Sequence, residues 1–145
     1  MKAFLLLLAL MVFFPAPPRS SAAVQKAVTA APVNGTWRTK TGEFKVLALG
    51  KQKLRVEFSG TYEYRVNKEL MANSGTGYGI AIIEGDTARF RPEGAEEDCM
   101  ITMRFTGGKL IVAQEGGCGF GHKVTAIGTY RMVSGGKPTF SENRV

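Results

Sequence analysis

Histidine occurs once in this 145-residue chain, at His122, and cysteine twice, at Cys99 and Cys118. A serine or cysteine nucleophile needs a base within hydrogen-bond reach, and the base needs an orienting group. One imidazole and no Gly-x-Ser-x-Gly elbow leave nucleophilic catalysis little to build on. Cys99, Cys118 and His122 are too few for structural zinc, which takes four ligands, and there is no Cys-x-x-Cys pair. Gly-Lys-Ser/Thr is missing as well. The glycine-rich stretches SGTGYG (Ser74 to Gly79) and GGCGFG (Gly116 to Gly121) both lead into strand patterns, whereas phosphate loops open a helix. No catalytic residue, metal ligand or cofactor is therefore assigned, and the chain reads as a non-enzyme.

Long apolar runs are scarce too. The longest, Ala3 to Phe14, falls short of the roughly 20 residues that span a bilayer, and Pro15, Pro17 and Pro18 end it. With Lys2 before it and Ser21-Ala22-Ala23 after it, the run has the order of a secretory signal peptide. We place cleavage after Ala23, with Ala31 as a second site, and expect no transmembrane segment in the mature chain. No cysteine lies near either cut, which argues against a lipoprotein. The expected localisation is periplasmic or secreted. In an oxidising compartment two cysteines pair. A Cys99–Cys118 disulfide would close a loop of about 20 residues and contribute roughly 3 kcal/mol in the loop-entropy account.

Acidic residues are outnumbered: 12 Asp and Glu against 19 Lys and Arg, a net charge of +7. Cleavage would remove Lys2 and Arg19 and leave the balance positive. The one acidic cluster, Glu93, Glu96, Glu97 and Asp98, reads as a solvated turn whose spacing fits no calcium loop. Lys45, Lys51, Lys53 and Arg55 crowd one hairpin, and Arg89 and Arg91 lie on another strand. Nucleic acid is nevertheless not an expected partner. The alternation turns Phe44, Phe58, Tyr62 and Tyr64 inward, and a nucleic-acid platform needs its aromatics outward beside the charge.

What the chain has in abundance is a period of two. Residues 24–33 are Ala-rich and read as a flexible leader. From Gly35 on, Phe44 and Val46 alternate with Lys45 and Leu47, and Leu54, Val56 and Phe58 with Arg55 and Glu57. The second run continues to Val66 through an inward Gly60, which suits a bend. Short strands follow at Gly79 to Ile83, Thr87 to Arg91, Cys99 to Phe105, Lys109 to Gln114 and Val124 to Met132. Gly107-Gly108 is a hairpin signal, and Asn67 to Ser74 (NKELMANS) reads as one helical turn. We expect an all-β domain over 34–133, a single antiparallel up-and-down barrel of about eight short strands with one disulfide. A two-sheet sandwich is the alternative, and residues 134–145 read as a loose tail.

Two resemblances refine this. NGTWRT supplies Gly35-x-Trp37 on the first strand, and IGTYRM supplies Arg131 on the last. Together they resemble the lipocalin and calycin pattern, which implies an indole packed over the closed end of the barrel beneath that arginine. The stretch CMITMRFTGGKLIVAQEGGCGFGHKVTAIGTYR is similar to the ending of small exported bacterial proteins of unassigned function, with their Cys-Gly-Phe-Gly motif. Some of these are grouped with periplasmic lysozyme inhibitors. This likeness implies an exported β-barrel of the cell envelope, which we read as a monomeric binding or inhibitor-like protein; the stapled turn itself offers Phe120 and His122 as partner contacts. The alternative is a lipocalin-like carrier of a small apolar or anionic ligand. The net positive charge counts against a basic lysozyme as target.

Overall fold

The computed structural model describes residues 33–141. The signal-type segment, nearly all of the leader and the last four residues lie outside the described residues. The rest is a closed barrel of eight antiparallel strands, each paired with its neighbours in sequence and the last with the first. They are β1 (Gly35–Arg38), β2 (Gly42–Gly50), β3 (Lys53–Val66), β4 (Glu69–Glu84), β5 (Thr87–Phe90), β6 (Met100–Thr106), β7 (Lys109–Glu115) and β8 (Gly128–Gly135). The barrel, not the sandwich, is the observed architecture.

The alternating residues fill the interior. Phe44, Val46, Leu54, Val56, Phe58, Ile101, Met103, Leu110 and Tyr130 are almost fully buried. Phe44 packs on Phe58 and, edge-on, on Tyr130, with ring centroids 4.9 and 5.0 Å apart. Each such ring removes a large apolar area from water, and together they form a packed core. Tyr130 keeps its polar tip satisfied by donating to the Ala126 carbonyl at 2.8 Å, and burial pushes its phenol pKa well above the ordinary value.

Strand direction alternates around the barrel, so its two ends differ. One carries the tight turns at Lys51-Gln52, Gly85-Asp86 and Gly107-Gly108, and the chain enters there at Val33. The other carries the longer connections, 91–99 and 116–127. At the turn end Trp37 is buried, donates its indole N–H to the Val33 carbonyl (3.1 Å) and meets the Phe105 ring edge-on at 5.6 Å. Arg131 is not above it. Tyr130 takes the inward position of β8, so Arg131 faces solvent in register with Arg38 and Lys109.

Three segments differ from the sequence expectation. NKELMANS is no helical turn: Asn67 and Lys68 form a two-residue turn with positive φ, and Glu69 to Ser74 pair with β3. Its helix-favouring residues yield to cross-strand pairing, which decides strand formation more than intrinsic preference does. The final strand begins at Gly128, not Val124. Val124 and Ala126 point inward and are buried, but the Gln114 side-chain oxygen accepts from the Ala126 N–H and the Thr125 hydroxyl (2.9 and 3.2 Å) in place of a backbone ladder. β8 then continues through Ser134 and Gly135. Beyond it Pro138 is buried, Phe140 lies 4.2 Å beneath the Arg55 guanidinium, and Ser141 hydrogen-bonds Glu57.

Candidate interaction surface

The two long connections at the loop end are joined by the Cys99–Cys118 disulfide, with Cα atoms 5.0 Å apart. Around it the loops touch closely. The Gly117 N–H approaches the Asp98 carboxylate at 3.4 Å. Arg91 folds back over its own loop, donating to the Cys99 and Glu97 carbonyls at 3.1 and 2.6 Å. With Arg91 engaged in this way, Glu93, Glu96, Glu97 and Asp98 stand exposed as an acidic edge of the rim.

Phe120, proposed from the sequence as a partner contact, serves the barrel itself. It is 4% exposed and packs at a tilt against Phe58 at a centroid distance of 4.7 Å, plugging the mouth. Its backbone passes so close to β4 that the Phe120 carbonyl occupies the place where a side chain at Gly75 would start. A Cβ at Gly77 would stand 2.5 Å from the Phe120 ring. His122 is exposed, and its carbonyl accepts from the Asn73 amide at 3.0 Å. The plug is not legible around Phe120 because its signal lies in β4: Gly75 and Gly77 of SGTGYG are spaces for Phe120, not a phosphate loop.

Above the rim stands a projecting arm. β3 pairs with β2 only as far as Gly42↔Gly60, yet β3 and β4 continue together for six more residue pairs, Thr61↔Ser74 to Val66↔Glu69. Tyr62 and Tyr64 stack along one face of this hairpin, and the Lys123 ammonium sits 5.3 Å from the Tyr62 ring. Val66, Leu70 and Met71 are exposed near the tip.

The outer wall carries shallow depressions, two of which adjoin the C-terminal segment and the rim. One, of about 150 Å³, runs between the segment Lys137 to Phe140 and a floor that includes Leu47, Leu49 and Ile80. The other, open and rich in hydroxyls, lies between the turn at Thr39-Lys40-Thr41 and Ser59, Thr61, Ser74 and Thr76. Among the described residues, no three His, Cys, Asp or Glu side chains stand together as a metal set. Comparison with family models, with curated proteins and with solved structures finds no match to the chain.

Proposed function

We propose that this is an exported, non-enzymatic binding protein of the bacterial cell envelope, inhibitor-like in that its stapled rim covers part of a cell-wall enzyme such as a lysozyme. The observation that carries the reading is the joining of both long loops by Cys99–Cys118 over a mouth plugged by Phe120. A surface held in one conformation before contact loses less entropy on binding, and a filled interior directs recognition to the outside. The signal-type N-terminus, a disulfide consistent with an oxidising compartment, and the likeness to exported Cys-Gly-Phe-Gly proteins support the location. The rim also lessens the charge objection. The chain is basic as a whole, but the edge from Glu93 to Asp98 carries four acids and no base, which suits a basic partner locally. A carrier role in the interior would require Phe120 to leave its seat.

A photo-crosslinking residue at Glu96 should capture an envelope protein that the same residue at Lys109, on the turn end, does not. Equal capture at both positions, or at neither, sinks the rim reading. Full activity of a lysozyme in the presence of excess protein sinks the inhibitor reading.

A further inference from the structure

The arm leaves a strand edge open. Among the described residues, no strand pairs with Tyr62 to Val66 on the side away from β4. The last contact on that side is the Thr61 N–H donating to the Thr41 carbonyl at 2.8 Å. In an antiparallel ladder the N–H and C=O of one residue point the same way and alternate along the strand. Those of Glu63 and Arg65 therefore face outward, while those of Tyr62, Tyr64 and Val66 serve β4. An exposed edge of this kind is a template for another strand.

We infer that the occupant is the same edge of a second copy, paired antiparallel about a two-fold axis through Tyr64. Two observations select this register independently. The first is charge. Centring on Tyr64 sets Glu63 of each copy opposite Arg65 of the other, so both ion pairs form on one face of the four-stranded sheet. Centring on Glu63 instead would face like charges, which is unfavourable directly across a ladder. The second is length. The open edge begins at Tyr62, just past the Thr61–Thr41 bond, and ends at Val66, before the turn at Asn67-Lys68, so its midpoint is again Tyr64.

The rest of the arm agrees. Both outward-facing residues lie in the hydrogen-bonded positions of this register and exchange backbone bonds. On the other face Tyr64 meets its own copy and Tyr62 meets Val66, with the exposed Met71 alongside, as aromatic and β-branched cross-strand pairs prefer. Arg65 already donates one Nη to the Lys68 carbonyl at 3.1 Å, which holds its side chain along the arm. The opposite edge offers no such selection: Leu70, Ala72 and Ser74 carry no charge, and the loop of Phe120 crowds its root at Gly75. The area covered is small beside that of a permanent dimer, so the association is reversible. It replaces the monomer expected from sequence and uses the arm's backbone edge, which rises from the same end as the rim but does not include the residues from Glu93 to Asp98. It is independent of the rim reading.

Sedimentation equilibrium of the folded, oxidised protein over rising concentration should show a reversible monomer–dimer system. Glu63→Arg alone, and Arg65→Glu alone, should each be monomeric throughout, because each faces two like-charge pairs. Mixing these two variants should restore a dimer, since every facing pair is then opposite in sign. The double exchange Glu63→Arg/Arg65→Glu should also dimerise. Both positions lie outside the barrel, and near-ultraviolet circular dichroism checks that the core is unchanged. A monomeric wild type, or single variants that dimerise like it, overturns the inference, as does a mixture that stays monomeric.

Discussion

The carbonyl of Phe120 stands where a side chain at Gly75 would begin, and the Phe120 ring rests on Phe58. Backbone of one loop thus fills a gap in one strand. Gly75→Ala should lift the plug and destabilise the fold by about 1–3 kcal/mol, the usual cost of overpacking. Phe120→Ala should cost roughly 3–5 kcal/mol by leaving a cavity at the mouth. Denaturant unfolding without reductant measures both. A neutral Gly75→Ala would show that the close approach is not a constraint.

The staple carries its own expectation. Cys99 and Cys118 are 19 residues apart in sequence, so replacing both by serine should lower stability by about 3 kcal/mol. Thiol labelling of denatured, unreduced protein should find no free thiol. If the rim is the binding surface, the same variant should lose partner capture at Glu96 while near-ultraviolet circular dichroism still reports a folded barrel.

Much of the barrel could be read from period-two runs because one face of each strand is buried and the other wet. Cys99, Ile101, Met103 and Phe105 are inward, and Gly107-Gly108 forms the hairpin turn with positive φ at both residues. Reading failed where side chains stand in for backbone or where distant chain fills a gap. Val124 and Ala126 keep the alternation of a strand, but the Val124 N–H donates to the nearby Gly121 carbonyl and the Ala126 N–H to the side-chain oxygen of Gln114. Phe120 looked like an exposed turn residue because nothing local marks Gly75 and Gly77 as its seat. Asn67-Lys68 hides a tight turn inside a helix-favouring run, and it and Lys51-Gln52, in a hairpin that the sequence did show, hold positive φ at both residues without the glycine that such turns favour.

That last mismatch is testable. Gln52 holds φ at 60°, in the left-handed region, where a side chain costs roughly 1–2 kcal/mol. Gln52→Gly should therefore stabilise the barrel by about 0.5–1 kcal/mol, the loss of unfolded-state rigidity offsetting part of the gain. A thermal melt compared with wild type decides the sign. A lowered midpoint would mean that the Gln52 side chain makes a compensating contact.

The lipocalin-like likeness separates at two residues. Trp37 is buried with its N–H satisfied, so Trp37→Ala should cost about 3–5 kcal/mol. Arg131 is exposed on the outer face, so Arg131→Ala should fall within about 0.5 kcal/mol of wild type. A large loss at Arg131 in equilibrium unfolding would mean that its guanidinium reaches the indole in solution after all.

Glu57 links the barrel wall to the C-terminal segment. Partial burial by itself raises its carboxyl pKa. Hydrogen bonds from Lys45 (3.1 Å) and from the Ser141 N–H and hydroxyl (2.8 and 2.9 Å) outweigh that and hold it below the ordinary carboxylate value. A group with a depressed folded-state pKa adds stability that is fully present above its unfolded value. That contribution is lost as pH falls through the lower, folded value, when the carboxyl protonates in both states. The stability gap between wild type and Glu57→Gln should therefore be constant near neutrality and close only on the acid side of the ordinary carboxylate range. Because Ser141 donates to the same carboxylate, Phe140 should become accessible to protease over the same acid window in wild type, and at all pH values in Glu57→Gln. A gap that persists unchanged into acid would assign the role of Glu57 to packing and not to its charge.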